Sequence, residues 1–184
     1  MKESFVNVIL SLYRDVPNAL YVVLLLLFAI SCLIIVWAKG IKHKVRNTGL
    51  ILLVELVALL YCSTVVFRPI NEKSEYCLKL FESYGSFNEG QYHVLADNVM
   101  NIAIFFPIGL LLGVSFRRAK WFQVFLTALL VSVSIELLQY ALHKGFSEID
   151  DVFHNVLGCM IGYGFYTLIK YGREKSYKRR VAVL

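Results

Sequence analysis

Long apolar runs dominate the chain, and short polar stretches separate them. Five runs are long enough to cross the hydrocarbon core of a bilayer as helices, which takes about 20 residues. They cover residues 16–38, 47–67, 98–116, 121–142 and 152–169. Each span is expected to be an α-helix, because a bilayer offers no hydrogen-bond partner to exposed peptide groups. The pattern therefore predicts an all-α, polytopic membrane helix bundle with five transmembrane helices.

Composition excludes the two main alternatives to a membrane protein. Hydrophobic residues make up 58% of the 184 residues and charged residues only 17%. Soluble domains average about 45–50% and about 25%, so a soluble protein of this composition would lack the polar surface to cover its core. Intrinsic disorder is excluded too, because it requires low hydrophobicity and high charge.

The basic residues are distributed unevenly between the two sides of the predicted bundle. Thirteen of the 19 Lys and Arg residues fall in three regions that alternation of five spans places on one side. They are Lys39, Lys42, Lys44, Arg46, Arg117, Arg118, Lys120, Lys170, Arg173, Lys175, Lys178, Arg179 and Arg180. Basic residues mark the cytoplasmic side, which predicts the N-terminus outside and the C-terminus inside. The net charge of +6 is thus interpreted as topology, and no nucleic-acid partner is predicted.

Polar side chains that are costly inside a membrane usually serve a function, and here they collect at the predicted outer leaflet. Four separate segments supply them: Arg68, Asn71, Asp97, Asn98, Asn101, Glu136, Gln139, His143, Glu148, Asp150, Asp151, His154 and Asn155. Glu55 lies away from this group, in the inner part of its span, and no role is assigned to it.

Helix spacing narrows the candidate site. Glu136 and Gln139 lie at i and i+3, and Asp151 and Asn155 at i and i+4, so each pair shares a helix face. The second face continues through Gly158 and Gly162, small residues that allow another helix to approach closely. We therefore expect Glu136, Asp151 and Asn155 to form one hydrogen-bonded unit in which Gln139 orients Glu136.

Structural roles remain open for several of these residues. Asp150 and Asp151 also suit the N-terminus of a helix, where carboxylates are favoured. Asn101 is equally suited to a hydrogen bond that packs two helices together. His143 and His154 are expected to be interfacial or hydrogen-bonded residues.

Three ordered motifs resemble the VanZ family of bacterial membrane proteins. The stretches NIAIFFPIGLLLG, IELLQ and EIDDVFHNVLGCMIG carry the family's pattern, and an upstream R-x-x-N element precedes them. The matching positions are Arg68, Asn71, Asn101, Phe105, Pro107, Gly109, Glu136, Gln139, Glu148, Asp151, Asn155 and Gly158. One departure is Glu148, which stands where the family usually has Asp. Some family members are linked to low-level teicoplanin resistance, so the resemblance implies a cell-membrane protein that acts at the bacterial envelope, without supplying a reaction.

The resemblance also suggests a division of the chain. Residues 1–67 form an N-terminal part with two transmembrane helices, residues 68–170 a VanZ-like domain, and residues 171–184 a basic cytoplasmic tail.

Two classes of function remain open at this point. The first is a binding protein in which Arg68, Asn71, Asn101, Glu136, Gln139, Glu148, Asp151 and Asn155 engage a lipid, a peptidoglycan precursor or a glycopeptide at the bilayer surface. The second is a membrane-embedded enzyme acting on a lipid-linked substrate, with Glu136 and Asp151 as acid and base or as ligands of a divalent metal. A purely structural helix bundle would not explain why the polar residues share one leaflet. The sequence identifies no cofactor and contains no C-x-x-C or similar metal-binding spacing.

Overall fold

The computed structural model of the protein describes residues 41–82, 84 and 92–181. Four helices form its framework: α1 (Ile41–Tyr61), α2 (Tyr92–Ser115), α3 (Trp121–Ala141) and α4 (Ile149–Val181). A π-helical turn (Cys62–Val66) continues α1, and two short strands, β1 (Glu75–Cys77) and β2 (Phe146–Glu148), lie in the connections.

The four helices correspond to four of the predicted spans. The segments long and apolar enough to cross a membrane are Val45–Val66, Ala96–Ser115, Trp121–Ala141 and Ile149–Val181. The predicted span at residues 16–38 lies outside the described residues. The chain is therefore a multi-pass, mainly helical membrane protein.

Helix α4 is much longer than the span predicted for it. It has 33 residues, or about 50 Å at 1.5 Å per residue, whereas the hydrocarbon core is about 30 Å thick. Its last turn contains Lys178, Arg179 and Arg180, and cations stabilise the C-terminal end of a helix. The basic segment predicted as a tail is thus a continuation of the helix through Val181.

Glycines bring α2 and α4 into close contact. A Cβ on Gly162 would lie 1.9 Å from the carbonyl oxygen of Phe106, and one on Gly109 would lie 1.8 Å from that of Cys159. Gly158 faces the backbone of α2 in the same way. This seam confirms that the small residues of α4 face the bundle.

Helix α3 packs against α4 and against the end of α1, where the hydroxyls of Tyr61 and Ser134 are hydrogen-bonded. The buried apolar core between the helices includes Leu53, Leu60, Phe105, Ile108, Leu112, Val124, Ala128, Ile135 and Cys159. On the opposite face of α3, Leu130 and Leu137 are 70% and 62% exposed. Such an apolar outer surface suits contact with lipid.

A small parallel sheet lies in the connections, where an all-α fold was expected. Strands β1 and β2 pair with Tyr76 opposite Ser147. Next to the pair, the Ser74 hydroxyl donates to the carbonyl of Tyr140 at 2.7 Å, which attaches the strand to the end of α3. Strands of three residues are too short to show an alternating sequence pattern, so tertiary docking determines them.

Two of the predicted cytoplasmic regions meet at one end of the bundle. The Lys170 ammonium donates to the carbonyl of Arg117 at 3.3 Å, which joins α4 to the α2–α3 connection. Strands β1 and β2 lie in the opposite connections, which follow α1 and α3. This arrangement agrees with the alternation that the basic residues predict.

We expect a cysteine at Glu72 to react with a membrane-impermeant maleimide in intact cells, and one at Lys175 to react only after permeabilisation. The reason is the excess of basic residues at the Lys175 end. Labelling is measured in a chain whose native cysteines are replaced by serine. The reverse labelling pattern would place the polar end of the bundle in the cytoplasm.

Candidate ligand-binding site

Two polar side chains of α3 are buried beside neighbours that face outwards. Glu136 is 7% exposed and Gln139 3% exposed, whereas the intervening Leu137 is 62% exposed. Their spacing of three residues places both on one helix face, and that face is turned into the bundle as the sequence predicts.

Strand β2 holds the carboxylate of Glu136. The backbone N–H of Glu148 donates to its Oε2 at 2.9 Å, and the side chain of Ser147 forms a second hydrogen bond with it. Pairing with β1 fixes the position of this strand. The buried carboxylate is therefore oriented by the connection between α3 and α4.

The first turn of α4 contributes two acidic side chains, Asp150 and Asp151. Asp151 accepts a hydrogen bond from the Asn101 amide at 2.8 Å, while Asp150 accepts one from the backbone N–H of Phe81. Carboxylates are favoured at a helix N-terminus, and Asp151 occupies such a position. The same carboxylate also accepts the hydrogen bond by which Asn101 links α2 to α4.

Two buried amides leave an oxygen without a partner. The Gln139 amide nitrogen donates to the carbonyl of Thr64 at 3.0 Å, and that of Asn155 donates to the Ser132 hydroxyl at 2.9 Å. The side-chain carbonyl oxygens of both amides are buried and form no hydrogen bond within the described part of the chain. A buried unsatisfied polar atom costs about 1–3 kcal/mol, which makes these oxygens candidate ligand contacts.

These contacts correct the expected hydrogen-bonded unit. Gln139 does not orient Glu136: its amide nitrogen donates to the Thr64 carbonyl, and the carboxylate accepts from the backbone N–H of Glu148 in β2. The hydrogen-bond partners of Asp151 and Asn155 are Asn101 and Ser132. Two side chains that are three or four residues apart share a helix face. In this bundle, the two members of such a pair nevertheless bond to different neighbouring elements.

We use the name polar cluster for the six residues that the bundle gathers at this end: Asn101, Glu136, Gln139, Glu148, Asp151 and Asn155. The charges of Glu136, Glu148 and Asp151 act on one another, and that of Asp97 acts on the last two. Within residues 41–82, 84 and 92–181 the ion pair recorded is Lys79–Glu82 at 3.5 Å, in the exposed connection. Among these described residues, the carboxylates of the polar cluster thus have no cation within ion-pair distance.

Glu148 shows the effect of this crowding. Burial raises the pKa of its carboxyl above the ordinary value, and the charges of Asp150 and Asp97 raise this pKa further. In the described part of the chain, no three His, Cys, Asp or Glu side chains converge in a way that would hold a metal ion. The polar cluster is therefore rich in hydrogen-bond acceptors and in acidic groups.

Arg68 and Asn71 lie at the edge of the site. Arg68 is exposed, and its guanidinium packs over Gly145, whose φ of +89° would strain a residue with a side chain. The positive charge of Arg68 acts on both Glu136 and Asp151. Asn71 instead fixes the connection after α3, since its backbone N–H donates to the His143 carbonyl at 2.7 Å.

Both histidines have structural contacts. His154 is 1% exposed, with Nδ1 2.6 Å from the carbonyl of Asp150 and Nε2 2.9 Å from the Tyr84 hydroxyl. His143 Nδ1 lies 3.0 Å from the Ser74 hydroxyl. The expectation of hydrogen-bonded histidines is confirmed.

Three residues that contact the polar cluster are missing from the sequence-based set: Thr64, Ser132 and Ser147. Ser132 was detectable, because it lies four residues before Glu136 on the same helix face. Thr64 acts through its backbone carbonyl in the π-helical turn, so its side chain carries no signal. Ser147 depends on the docking of β2.

These features define a multi-pass helical membrane protein with a polar cluster buried at one end. The VanZ/LLP1 family model matches residues 19–170, and the chain belongs to that family. A relative, Protein VanZ of Enterococcus faecium, is 34% identical over 79 residues, which cover 43% of this chain and 47% of that protein. The chain thus matches about half the length of this relative. No solved structure matches the chain.

Proposed function

We propose that this VanZ/LLP1 protein binds the polar group of a lipid headgroup or of a lipid-anchored glycopeptide at the outer surface of the cell membrane. One observation carries the proposal: within the described residues, the carbonyl oxygens of Gln139 and Asn155 are buried without partners. Each amide lies one helical turn from a carboxylate of the polar cluster, Glu136 or Asp151. Native proteins leave few such atoms unpaired, and a bound polar ligand satisfies them.

The surrounding residues suit recognition of a polar ligand. Asn101 and Asp151 present a fixed pair between α2 and α4. Arg68, exposed at the edge, is able to hold a phosphate or carboxylate through two parallel hydrogen bonds. A ligand placed between them meets a positive group outside and acceptors inside.

A contribution to teicoplanin resistance belongs to the same proposal. A glycopeptide engaged at the membrane surface is kept away from its target, and this route needs no change in the target itself. Kinship with Protein VanZ, aligned over about half of its length, supports this suggestion.

An apolar groove beside the polar cluster favours a lipid-linked ligand. It has a volume of about 320 Å³ and is lined by Phe125, Leu129, Val152, Phe153, Val156, Leu157 and Met160. Val152 and Val156 directly follow Asp151 and Asn155, so groove and polar cluster share the same turns of α4. A ligand whose polar group occupies the polar cluster has its hydrocarbon chain next to this groove.

The test compares two variants of α3 in purified protein. Leu129→Trp fills the groove, and Leu130→Trp adds the same bulk to a 70% exposed position. We expect Leu129→Trp to weaken binding of a phospholipid with eight-carbon chains by about tenfold, because each buried CH₂ contributes about 0.8 kcal/mol. Leu130→Trp should bind like the wild type.

Binding is measured by calorimetric titration in detergent, with the same headgroup on four-carbon chains and with teicoplanin as further probes. The four-carbon lipid should be insensitive to Leu129→Trp. If neither phospholipid nor teicoplanin binds the wild-type protein, the proposed function is wrong.

A further inference from the structure

We infer that the ligand enters the polar cluster with a primary ammonium group. This inference rests on the proposed function and specifies the chemistry of the group that is bound. It follows from which hydrogen-bonding atoms of the polar cluster are already used, which are left over, and the charge around them.

Each side-chain amide of the polar cluster already donates a hydrogen bond to a neighbouring residue. The amide nitrogens of Gln139 and Asn155 donate to Thr64 and Ser132, and that of Asn101 donates to Asp151. The fully buried cluster atoms left without a partner among the described residues are two side-chain oxygens, on residues only 3% and 5% exposed. An acceptor needs a donor, so the missing group is a hydrogen-bond donor.

Charge favours a cation as this donor, because Arg68, whose positive charge acts on Glu136 and Asp151, is exposed at the edge of the site. Glu136, Glu148 and Asp151 lie close enough for their charges to interact. The ion pair recorded in the described ranges lies elsewhere. Buried like charges are costly unless a cation approaches or a proton is taken up. A neutral donor would satisfy an amide oxygen and leave this repulsion in place.

Geometry favours ammonium over a metal ion. A divalent cation needs several oxygens at about 2.0–2.6 Å, and no three acidic, His or Cys side chains of the described residues converge in that way. An ammonium group has three N–H donors and reaches its acceptors at about 2.7–2.9 Å, so it demands a less exact geometry and accepts a neutral amide oxygen as a partner.

The guanidinium of Arg68 indicates which chemical group of the ligand is attached to the ammonium. It is an exposed cation at the edge of this acidic site, and it suits an anionic group attached to the ammonium by a short linker. A phosphoethanolamine headgroup has this arrangement of charges. Free amines, amino sugars and peptide amines share the ammonium without the neighbouring phosphate.

The experiment titrates the full-length protein in detergent with short-chain lipids that differ only in the headgroup. Phosphatidylethanolamine carries N–H donors, phosphatidylcholine carries the same charge without them, and phosphatidylglycerol carries no cation. We expect phosphatidylethanolamine to bind about tenfold tighter than either of the others, because charge-assisted hydrogen bonds are stronger than hydrogen bonds between neutral groups. Glycerophosphoethanolamine, which lacks chains, separates a free amine from a lipid source.

A matched pair of variants ties the effect to the polar cluster. Asp151→Asn keeps an oxygen that accepts from Asn101 and removes the charge, so it should lower the affinity for phosphatidylethanolamine about tenfold without changing the thermal midpoint. Glu82→Gln, at the exposed ion pair, should change neither.

The outcomes separate the inference from the proposed function. If phosphatidylglycerol or phosphatidylcholine binds as tightly as phosphatidylethanolamine, the polar cluster binds lipid and the ammonium inference is wrong. If neither these probes nor teicoplanin binds, both fail. Equal affinity of Asp151→Asn and wild type for phosphatidylethanolamine also overturns the inference.

Discussion

A Glu136→Gln variant is expected to reach the wild-type level in the membrane and to lose the protein's effect in a teicoplanin-susceptibility or envelope-stress assay. Glutamine has the shape of glutamate, and its oxygen accepts from the Glu148 N–H as Oε2 does now. Its amide nitrogen donates to the Ser147 hydroxyl, which is able to accept. The substitution therefore removes the negative charge and preserves the hydrogen bonds.

Glu136→Leu serves as the structural comparison. Leucine leaves the Glu148 N–H and the Ser147 hydroxyl without their partner, which costs about 1–3 kcal/mol for a buried group. We expect a lower thermal midpoint and less protein in the membrane, measured by unfolding in detergent and by immunoblotting. Glu82→Gln, in the exposed connection, controls for the loss of a carboxylate outside the polar cluster.

This pair of variants also discriminates between the two classes of function. Full activity of Glu136→Gln at normal abundance would exclude the enzyme alternative, in which Glu136 and Asp151 are acid and base or metal ligands. Binding through hydrogen bonds alone would be compatible with that result. Loss of activity at normal abundance would show that the charge of Glu136 is required.

The sequence was sufficient to predict these four helices and which polar residues of α3 and α4 share a face. Apolar runs and helical periodicity are local properties, so Glu136 and Gln139 could be assigned to one face without knowledge of the fold. Gly158 and Gly162 were likewise identifiable as packing residues, because small side chains four residues apart permit close helix contact.

The hydrogen-bond partners of the residues on those faces could not be predicted from local sequence patterns. Whether Glu136 meets Gln139 or the backbone of β2 depends on how the connection after α3 folds back. Strands β1 and β2 pair where Asn71 and Ser74 attach the connection after α1 to the end of α3 and to the turn that follows it. Contacts of this kind join residues about 70 positions apart, and no local pattern encodes them.

Gly162→Ala is expected to lower the free energy of unfolding by about 1–3 kcal/mol, the usual cost of overpacking. The new Cβ would lie 1.9 Å from the carbonyl oxygen of Phe106. That oxygen belongs to the backbone of α2, so relief requires the two helices to move apart. Thermal unfolding in detergent measures the effect.

Gly164→Ala is the matched control on the same helix. A Cβ there meets no atom within 4 Å, and alanine is favoured over glycine in a helix by about 1 kcal/mol. We therefore expect this variant to be as stable as the wild type or more stable. Opposite shifts from identical substitutions two residues apart would locate the close contact at Gly162.

The Gly162→Ala substitution should also weaken ligand binding at a distance. Gly162 lies 11 positions after Asp151, or about 16 Å along the helix, so the added methyl group does not itself touch the polar cluster. Separation of α2 from α4 would nevertheless lengthen the 2.8 Å bond between Asn101 and Asp151. Reduced lipid affinity in Gly162→Ala, with normal affinity in Gly164→Ala, would show that the glycine seam positions the site. Wild-type stability and affinity of Gly162→Ala would contradict the close approach of these helices.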